Sequence, residues 1–298
     1  MKVVVTGSSG LVGSALREVL RSGGHEIVRL VRSQPDGPDA FAWDPDAKQV
    51  PPAAFAGADA VVHLAGENIA AGRWTEAQKR RIRDSRINGT QALAAAIANL
   101  PQPPKTLVCA SAVGYYGDRG QEQLTESARP GIGFLPDVCV KWEEASKPAE
   151  DRGVRVVRLR FGVVLSAAGG ALAKMLTPFK LGAGGKLGDG QQYMSWIDLD
   201  DLIGVIFHAL YDGSLSGAVN AVSPNPVTNA EFTQTLGKVL HRPTVIPMPA
   251  FAARLVFGEM ADALLLASAR VIPARLKESG YTFRYPELQQ SLRHQLSA

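Results

Sequence analysis

Val3, Val4 and Val5 form an unbroken β-branched run, the pattern of a strand buried on both faces. Thr6 and Gly7 close it. Leu11, Val12, Ala15, Leu16, Val19 and Leu20 then recur at helical spacing, and Gly23-Gly24 stops the helix. The alternation continues along the chain. Residues 26–31 and 59–64 read as strands, with 41–43 as a short strand before an Asp44-Pro45-Asp46 turn. A long helical tract covers 74–100 and ends at Pro101. Residues 105–109 read as strand, 135–151 as helix, 154–159 as strand and 218–222 as a last strand. This predicts an α/β fold, a Rossmann-type doubly wound parallel sheet with helices on both faces.

After Gly162 the pattern loosens. Residues 181–190 are glycine-rich and read as a loop. Asp198, Asp200 and Asp201 precede the next helical stretch and offer it an N-cap. Beyond Pro224, short helices and proline-broken segments dominate. The expected division is a nucleotide-binding domain over 1–170 and 196–224, and a smaller substrate lobe over 171–195 and 225–298.

The first turn carries the clearest chemistry. Gly7 permits a turn that a side chain would block, Gly10 lets backbone amides approach a pyrophosphate, and Gly13 lets the helix sit close to the sheet. The helix N-terminus offers free N–H groups to phosphates. The candidate cofactor set is Thr6, Gly7, Ser9, Gly10, Leu11, Val12 and Gly13, with Leu64, Ala65, Gly66 and Glu67 on the same carboxyl edge. An NAD-specific site places an acid at the end of the second strand. Here Arg32 and Ser33 stand there, and arginine pairs with a 2′-phosphate. The expectation is NADP(H) in preference to NAD(H). Lys2 and Arg29 read as solvated charges.

Composition narrows the rest. The 298 residues are 46% hydrophobic and 20% charged, with a net charge of +4. No basic run with interleaved aromatics marks a nucleic-acid surface. The most apolar helix, over 250–271, carries Arg254, Glu259, Asp262 and Arg270, which argues against a membrane span. The two cysteines, Cys109 and Cys139, make no disulfide framework, and no leader is expected before the first strand. A cytoplasmic protein acting on a small molecule is expected. The histidines lack metal-ligand spacing with Cys or Asp, so no metal site is expected. His63, one residue inside a strand end, reads as a satisfied buried histidine. Glu67 and Asn68 either contact substrate or cap a loop. Arg73-Trp74 either clamps a planar anion or starts a helix with Trp74 in the core. Arg160-Phe161-Gly162 is a candidate wall of the nicotinamide pocket.

The stretches 6–13, His63-Leu64-Ala65-Gly66, 111–117 and 196–201 together resemble extended short-chain dehydrogenases/reductases of the nucleoside-diphosphate-sugar epimerase and dehydratase type. Gly66-Glu67-Asn68-Ile69, Arg73-Trp74, Ser85-Arg86 and 139–143 resemble an atypical branch of epimerase family proteins. The segment near 246–296 resembles the DUF1731 module that closes such chains. Some members carry a cell-division label, which nothing in these residues supports. Related folds form homodimers through two helices, and that expectation rests on analogy alone.

The resemblance implies a Ser/Thr, Tyr and Lys set, in which tyrosine transfers the proton and lysine tunes it. No Tyr-x-x-x-Lys opens the helix near residue 135. Matching Glu143 to the superfamily's glutamate puts Leu135 at the tyrosine position and Cys139 at the lysine position. The same matching puts Arg86 in place of the usual asparagine. Ser111 is the candidate hydroxyl, although counting back from Tyr116-Gly117 gives Ala112. Two readings stay open. A reductase or epimerase-like enzyme recruits another acid from Tyr115, Tyr116 or a Cys139 thiol lowered by Arg86. Alternatively, the protein binds NADP(H) without turnover as a regulator or sensor.

Overall fold

The computed structural model describes residues 1–297. In chain order, β1 (Lys2–Thr6) leads through α1 (Leu11–Ser22) to β2 (Glu26–Val31) and β3 (Ala40–Ala42). Then follow β4 (Ala60–His63), α2 (Glu76–Ala98), β5 (Thr106–Ala112), a two-residue β6 (Gln123–Leu124) and α3 (Phe134–Glu144). A short α4 (Lys147–Asp151) precedes β7 (Arg155–Phe161), β8 (Val163–Leu165) and α5 (Gly170–Lys180). Next come β9 (Tyr193–Met194), β10 (Trp196–Asp198), α6 (Leu199–Tyr211) and β11 (Gly217–Ala221). The remainder is β12 (Val227–Thr228), α7 (Asn229–Leu240), α8 (Ala250–Phe257), β13 (Arg270–Val271), α9 (Ala274–Glu278) and α10 (Leu288–Ser297).

Seven parallel strands form one sheet in the order β11-β7-β5-β4-β1-β2-β3. Each face has its own core, as a sheet covered on both sides requires. On one face Val3, Val5, Val62 and Val108 pack with Leu16 and Leu20 of α1 and Leu202 and Ile206 of α6. On the other, Val4, Val61 and Leu107 pack with Leu93 and Ile97 of α2. The valine run Val3 to Val5 is fully buried. The change of strand order beside β1 puts the β1 and β4 carboxyl ends at a crevice, the usual ligand edge of an open sheet.

Beyond Gly162 the chain leaves this sheet and returns to it at β11. β8 pairs with β10 as a separate parallel pair, so 196–198 is not a strand of the large sheet. Trp196, Phe179, Phe232 and Leu292 centre a third core there. The expected 135–151 helix is two helices, because Pro148 in the first turn of α4 has no N–H to continue α3. The expected 250–271 helix is also broken. Gly258, at φ +64, ends α8, and Ala261–Leu266 adopts a separate π-helical turn. β8 and α5 had no counterpart in the pattern reading. Among the described residues, no helix is long and apolar enough to cross a membrane.

Two buried aspartates at the start of α6 hold the C-terminal segment. Asp198 caps α6, accepting from the Asp200 N–H at 2.9 Å, and also accepts from Ser291 at 2.6 Å and Gln295 at 3.1 Å. Asp201 accepts the backbone N–H groups of Arg284 at 2.7 Å and Tyr285 at 2.9 Å. Burial raises both carboxyls from their ordinary value, while these bonds favour the ionised form. Asp201→Ala leaves both N–H groups without their acceptor and is expected to cost about 2–4 kcal/mol in urea unfolding. Unchanged stability would show that water replaces the carboxylate without penalty.

Candidate functional site

The turn between β1 and α1 is closed to side chains at two points. Gly7 has φ +65, and a Cβ there would lie 2.7 Å from the Leu64 carbonyl carbon and 2.8 Å from the Ala65 nitrogen. A Cβ on Gly13 would overlap the Gly7 carbonyl oxygen. Gly10 differs, because its nearest such contact is Gly7 O at 3.4 Å. Gly10 and Ser9 are exposed, so the turn presents open backbone at the mouth of α1. Leu11 and Val12 are half-buried on the same first turn.

Thr6 ties this turn to the end of β4. Its Oγ1 accepts from the Leu64 and Ala65 N–H groups, each at 3.2 Å, and lies 2.7 Å from His63 Nδ1. With both lone pairs used, the Thr6 hydroxyl donates to Nδ1. His63 Nε2 then donates to Thr90 Oγ1 at 3.0 Å, which also accepts from Trp142 Nε1 at 2.9 Å. His63 is therefore neutral and satisfied, and burial pushes its pKa down to about 4. Downstream, Gly66 is exposed and Glu67 half-buried. The Glu67 backbone is held by Ser85 and by Arg86, whose Nη1 donates to Glu67 O and Ile82 O, each at 3.0 Å. Asn68 accepts from the Ala70 N–H, so it caps its own loop. Trp74 is buried, with Nε1 donating to Ile69 O, and Arg73 is exposed.

Arg32 and Ser33 are exposed at the end of β2. Arg32, Ala42, Trp43, Asp44 and Lys48 line an open depression of about 600 Å³. Arg29 was read as solvated, and the structure corrects this. Its side chain is 9% exposed and binds Asp39 through two hydrogen bonds and Asp36 through one.

The candidate proton-transfer groups separate sharply. Ser111 points into the layer between β5 and α3 and donates to Glu143 Oε1 at 2.7 Å. Glu143 is paired with Arg160 through both carboxylate oxygens, at 2.8 and 2.9 Å. Arg160 is therefore a buried structural partner rather than an open pocket wall. Tyr116 is fully buried, and its hydroxyl donates to Asn220 Oδ1 at 2.7 Å and accepts from Arg160 at 2.9 Å. Burial pushes its phenol up to about 12. Cys139 also departs from expectation. Burial, with Glu143 adding to it, pushes the thiol up to about 12 despite Arg86 nearby. Tyr115 is half-buried, with the Arg160 guanidinium 3.5 Å from its ring centroid, and its hydroxyl takes no part in this network. Arg86 is itself largely desolvated, which holds its guanidinium below its ordinary value, and it lies 5.1 Å from the Trp142 ring centroid.

One cluster escaped sequence spacing. Asp198, Asp200 and His294 bring potential metal-ligating atoms within 4.8 Å of one another. The fold joins α6 to α10 there, and protein groups already use those atoms. His294 Nε2 lies 2.8 Å from Asp200 Oδ2, and Asp198 is engaged as described above. The cluster fastens the C-terminal helix.

The sheet order, the glycine turn at its centre and the covering C-terminal lobe define an atypical short-chain dehydrogenase/reductase fold of the extended type. Residues 3–221 match the NAD dependent epimerase/dehydratase family, and residues 248–295 match a domain of unknown function, DUF1731. The chain belongs to the NAD dependent epimerase/dehydratase family. It is 45% identical over 290 residues to an epimerase family protein of Mycobacterium bovis, covering 97% of this chain and 96% of that one. It is 40% identical over 296 residues to the human epimerase family protein SDR39U1, covering 98% and 99%. The crystal structure of human SDR39U1 (isoform 2) with NADPH matches with a TM-score of 0.92 and 38% identity, over 100% of this chain and 99% of that one. A nucleoside-diphosphate sugar epimerase from Corynebacterium glutamicum matches with a TM-score of 0.83 and 42% identity, over 99% of this chain and 58% of that one.

The buried histidine has a consequence for acid stability. In the unfolded chain His63 takes a proton near pH 6.5, and in the fold only near pH 4. Its depressed pKa contributes stability above about 6.5 that is lost as pH falls towards 4, up to about 3 kcal/mol. His63→Gln should show a shallower loss of unfolding free energy across that window. Parallel curves for the two proteins would remove His63 from the acid transition.

Proposed function

We propose that the chain binds NADP(H) over the β1–α1 turn and acts as an oxidoreductase or epimerase-like enzyme on a small polar molecule. The observation that carries this reading is the corner itself. The turn admits no side chain at Gly7 or Gly13, leaves the Gly10 backbone open, and stands beside an exposed Arg32. Such a cradle fits a pyrophosphate at a helix N-terminus, and an arginine there fits a 2′-phosphate. The crystal structure of human SDR39U1 with NADPH supports the same assignment by similarity.

When bound, NADP(H) supplies the hydride, and the protein positions the partner and handles the proton. Thr6 holds the Leu64 and Ala65 amides against the turn, and Arg86 fixes the Glu67 carbonyl. These contacts shape the floor on which the cofactor and substrate meet. Ser111, Tyr116 and Cys139 are withdrawn from proton transfer by burial and by their partners. Tyr115 is the remaining candidate acid, because its hydroxyl stands outside the Glu143–Arg160–Tyr116 network. Arg160 against its ring would stabilise the phenolate.

A specific observation favours a second reading, NADP(H) binding without turnover. Leu135 and Cys139, at the positions of the superfamily's tyrosine and lysine, are 7% and 3% exposed and offer neither a phenol nor an ammonium. An NADPH-oxidation screen across a carbonyl panel separates the two. Tight NADPH binding with no turnover on any member would support the regulatory reading.

Fluorescence titration tests the cofactor. NADPH should bind more tightly than NADH, and Arg32→Asp should weaken NADPH about tenfold more than NADH. Equal losses for both would remove Arg32 from the argument. For the chemical step, Tyr115→Phe should lower kcat by about 10²–10⁴ while leaving NADPH affinity within about twofold. Undiminished turnover would exclude Tyr115 as the acid.

A further inference from the structure

Six large apolar side chains outside the large sheet stand open to solvent. Leu181, Val245, Ile246, Phe251, Leu255 and Val256 are each more than half exposed, from 54% at Val256 to 79% at Leu181. They come from three stretches that adjoin one another. Arg242 Nε donates to Lys180 O, the Met248 N–H to Lys186 O and the Gly188 N–H to Met248 O, each at 2.9 Å, so residues 180–188 run beside residues 242–248. α8 begins two residues after Met248, and a Cβ on Gly188 would lie 4.0 Å from the Ala250 Cβ. On α8, Ala253 is fully buried, while Phe251 and Leu255, one turn apart, face outward. A surface helix ordinarily turns polar residues to that side. An apolar patch of this kind marks an interaction surface.

The charges around these side chains are mostly of one sign. Lys180, Lys186 and Arg242 are exposed. Lys186 and Arg242 spend donors on backbone carbonyls, those of Asp189 and Lys180, which leaves their charge uncancelled. Among the acids of the same stretches and of the turn after α8, Glu259 is paired with Lys79 and Asp262 with Arg254. Asp189 is left. A second copy docked here about a two-fold axis would set these cations against themselves, a like-charge contact that costs affinity. Six side chains also fall well short of the roughly 20–30 residues a side of a stable protein interface. An anionic bilayer answers both features. Its acyl boundary accepts protruding apolar side chains, and its headgroups attract the lysines and the arginine.

We propose that α8 and the adjoining 180–188 and 242–248 loops form a docking face for an anionic lipid surface, on which the chain lies without spanning it. The proposal stands on the C-terminal lobe and is independent of the cofactor reading.

The test is co-sedimentation of the full chain with vesicles of phosphatidylcholine alone and of equimolar phosphatidylcholine and phosphatidylglycerol. The anionic vesicles should bind at least about tenfold more tightly, and added salt should release the protein. Phe251→Ser with Leu255→Ser should weaken that binding about tenfold or more. Lys180→Gln with Lys186→Gln should do so about tenfold, and this pair stands in if the serine variant folds poorly. No binding to the anionic vesicles, equal binding to the neutral ones, or unchanged affinity in both variants overturns the proposal. Sedimentation velocity without lipid tests the other occupant. The serine pair should leave the oligomeric state unchanged, and a wild-type dimer that it dissociates would assign the face to a second copy and overturn the lipid surface.

Discussion

The contact on which the rest depends is the approach of α1 to the end of β1 and β4. Gly13 sits on the Gly7 carbonyl with no room for a methyl group, and Gly7 sits against the Leu64–Ala65 peptide in the same way. A side chain at either position would push α1 off the sheet or part β1 from β4. Because the approach is this close, the Thr6 hydroxyl can hold both the Leu64 and Ala65 amides. One short constraint thus fixes the helix N-terminus, the β4 carboxyl end and the buried His63–Thr90–Trp142 chain that reaches α2 and α3.

Around that centre, the fold pairs the buried charges that set α3 and the C-terminal segment. Arg160 satisfies Glu143 with two bonds and Tyr116 with a third, and Glu143 in turn satisfies Ser111. Asp198 and Asp201 are answered by hydroxyl, amide and backbone donors from the C-terminal segment. Such groups stabilise little in net terms, but breaking one side strands its partner. They therefore specify which surfaces meet. The 111–143–160 pairs set α3 on the sheet, and the α6 aspartates set the C-terminal helix on the third core.

The sheet and its first turn were legible because their signals are local. Val3 to Val5, the glycines and the helical spacing from Leu11 each act within a few residues. Helix ends were less legible. Pro148 carried the signal for the break between α3 and α4, but the apolar spacing on either side runs through it. β8 and α5 were hidden because Val163 to Leu165 pairs only with a strand some thirty residues on. Arg29 and Arg160 show a missed signal of another kind. Each lies inside an apolar strand run, where a charge must find a partner. The partner itself, Asp39 in one case and Glu143 in the other, is set by tertiary packing that spacing does not reveal. Ser111 finds its partner, Glu143, through the same kind of packing. Strand alternation turns it towards α3, and the count from Tyr116-Gly117 to Ala112 agrees with that orientation.

The departures at Leu135, Cys139 and Arg86 are coupled rather than separate losses. A Cβ at Gly114 would lie 3.5 Å from the Leu135 side chain and 3.8 Å from the Cys139 sulfur, so both residues pack against the 113–116 turn. That packing excludes water from the place where the superfamily keeps a phenol and an ammonium. Arg86 is a charged neighbour of Cys139 and is itself largely desolvated. A lysine at position 139 would set a second cation beside it in a medium that screens poorly. With Arg86 present, a neutral residue at 139 avoids that repulsion. Arginine at 86 instead spends its donors on the Glu67 and Ile82 carbonyls, holding the loop after β4. The positive charge of this region thus stands on α2 and positions the loop after β4. On the reading that the protein turns over, the proton donor would come from outside α3, and Tyr115 stands on the turn that Leu135 and Cys139 pack against.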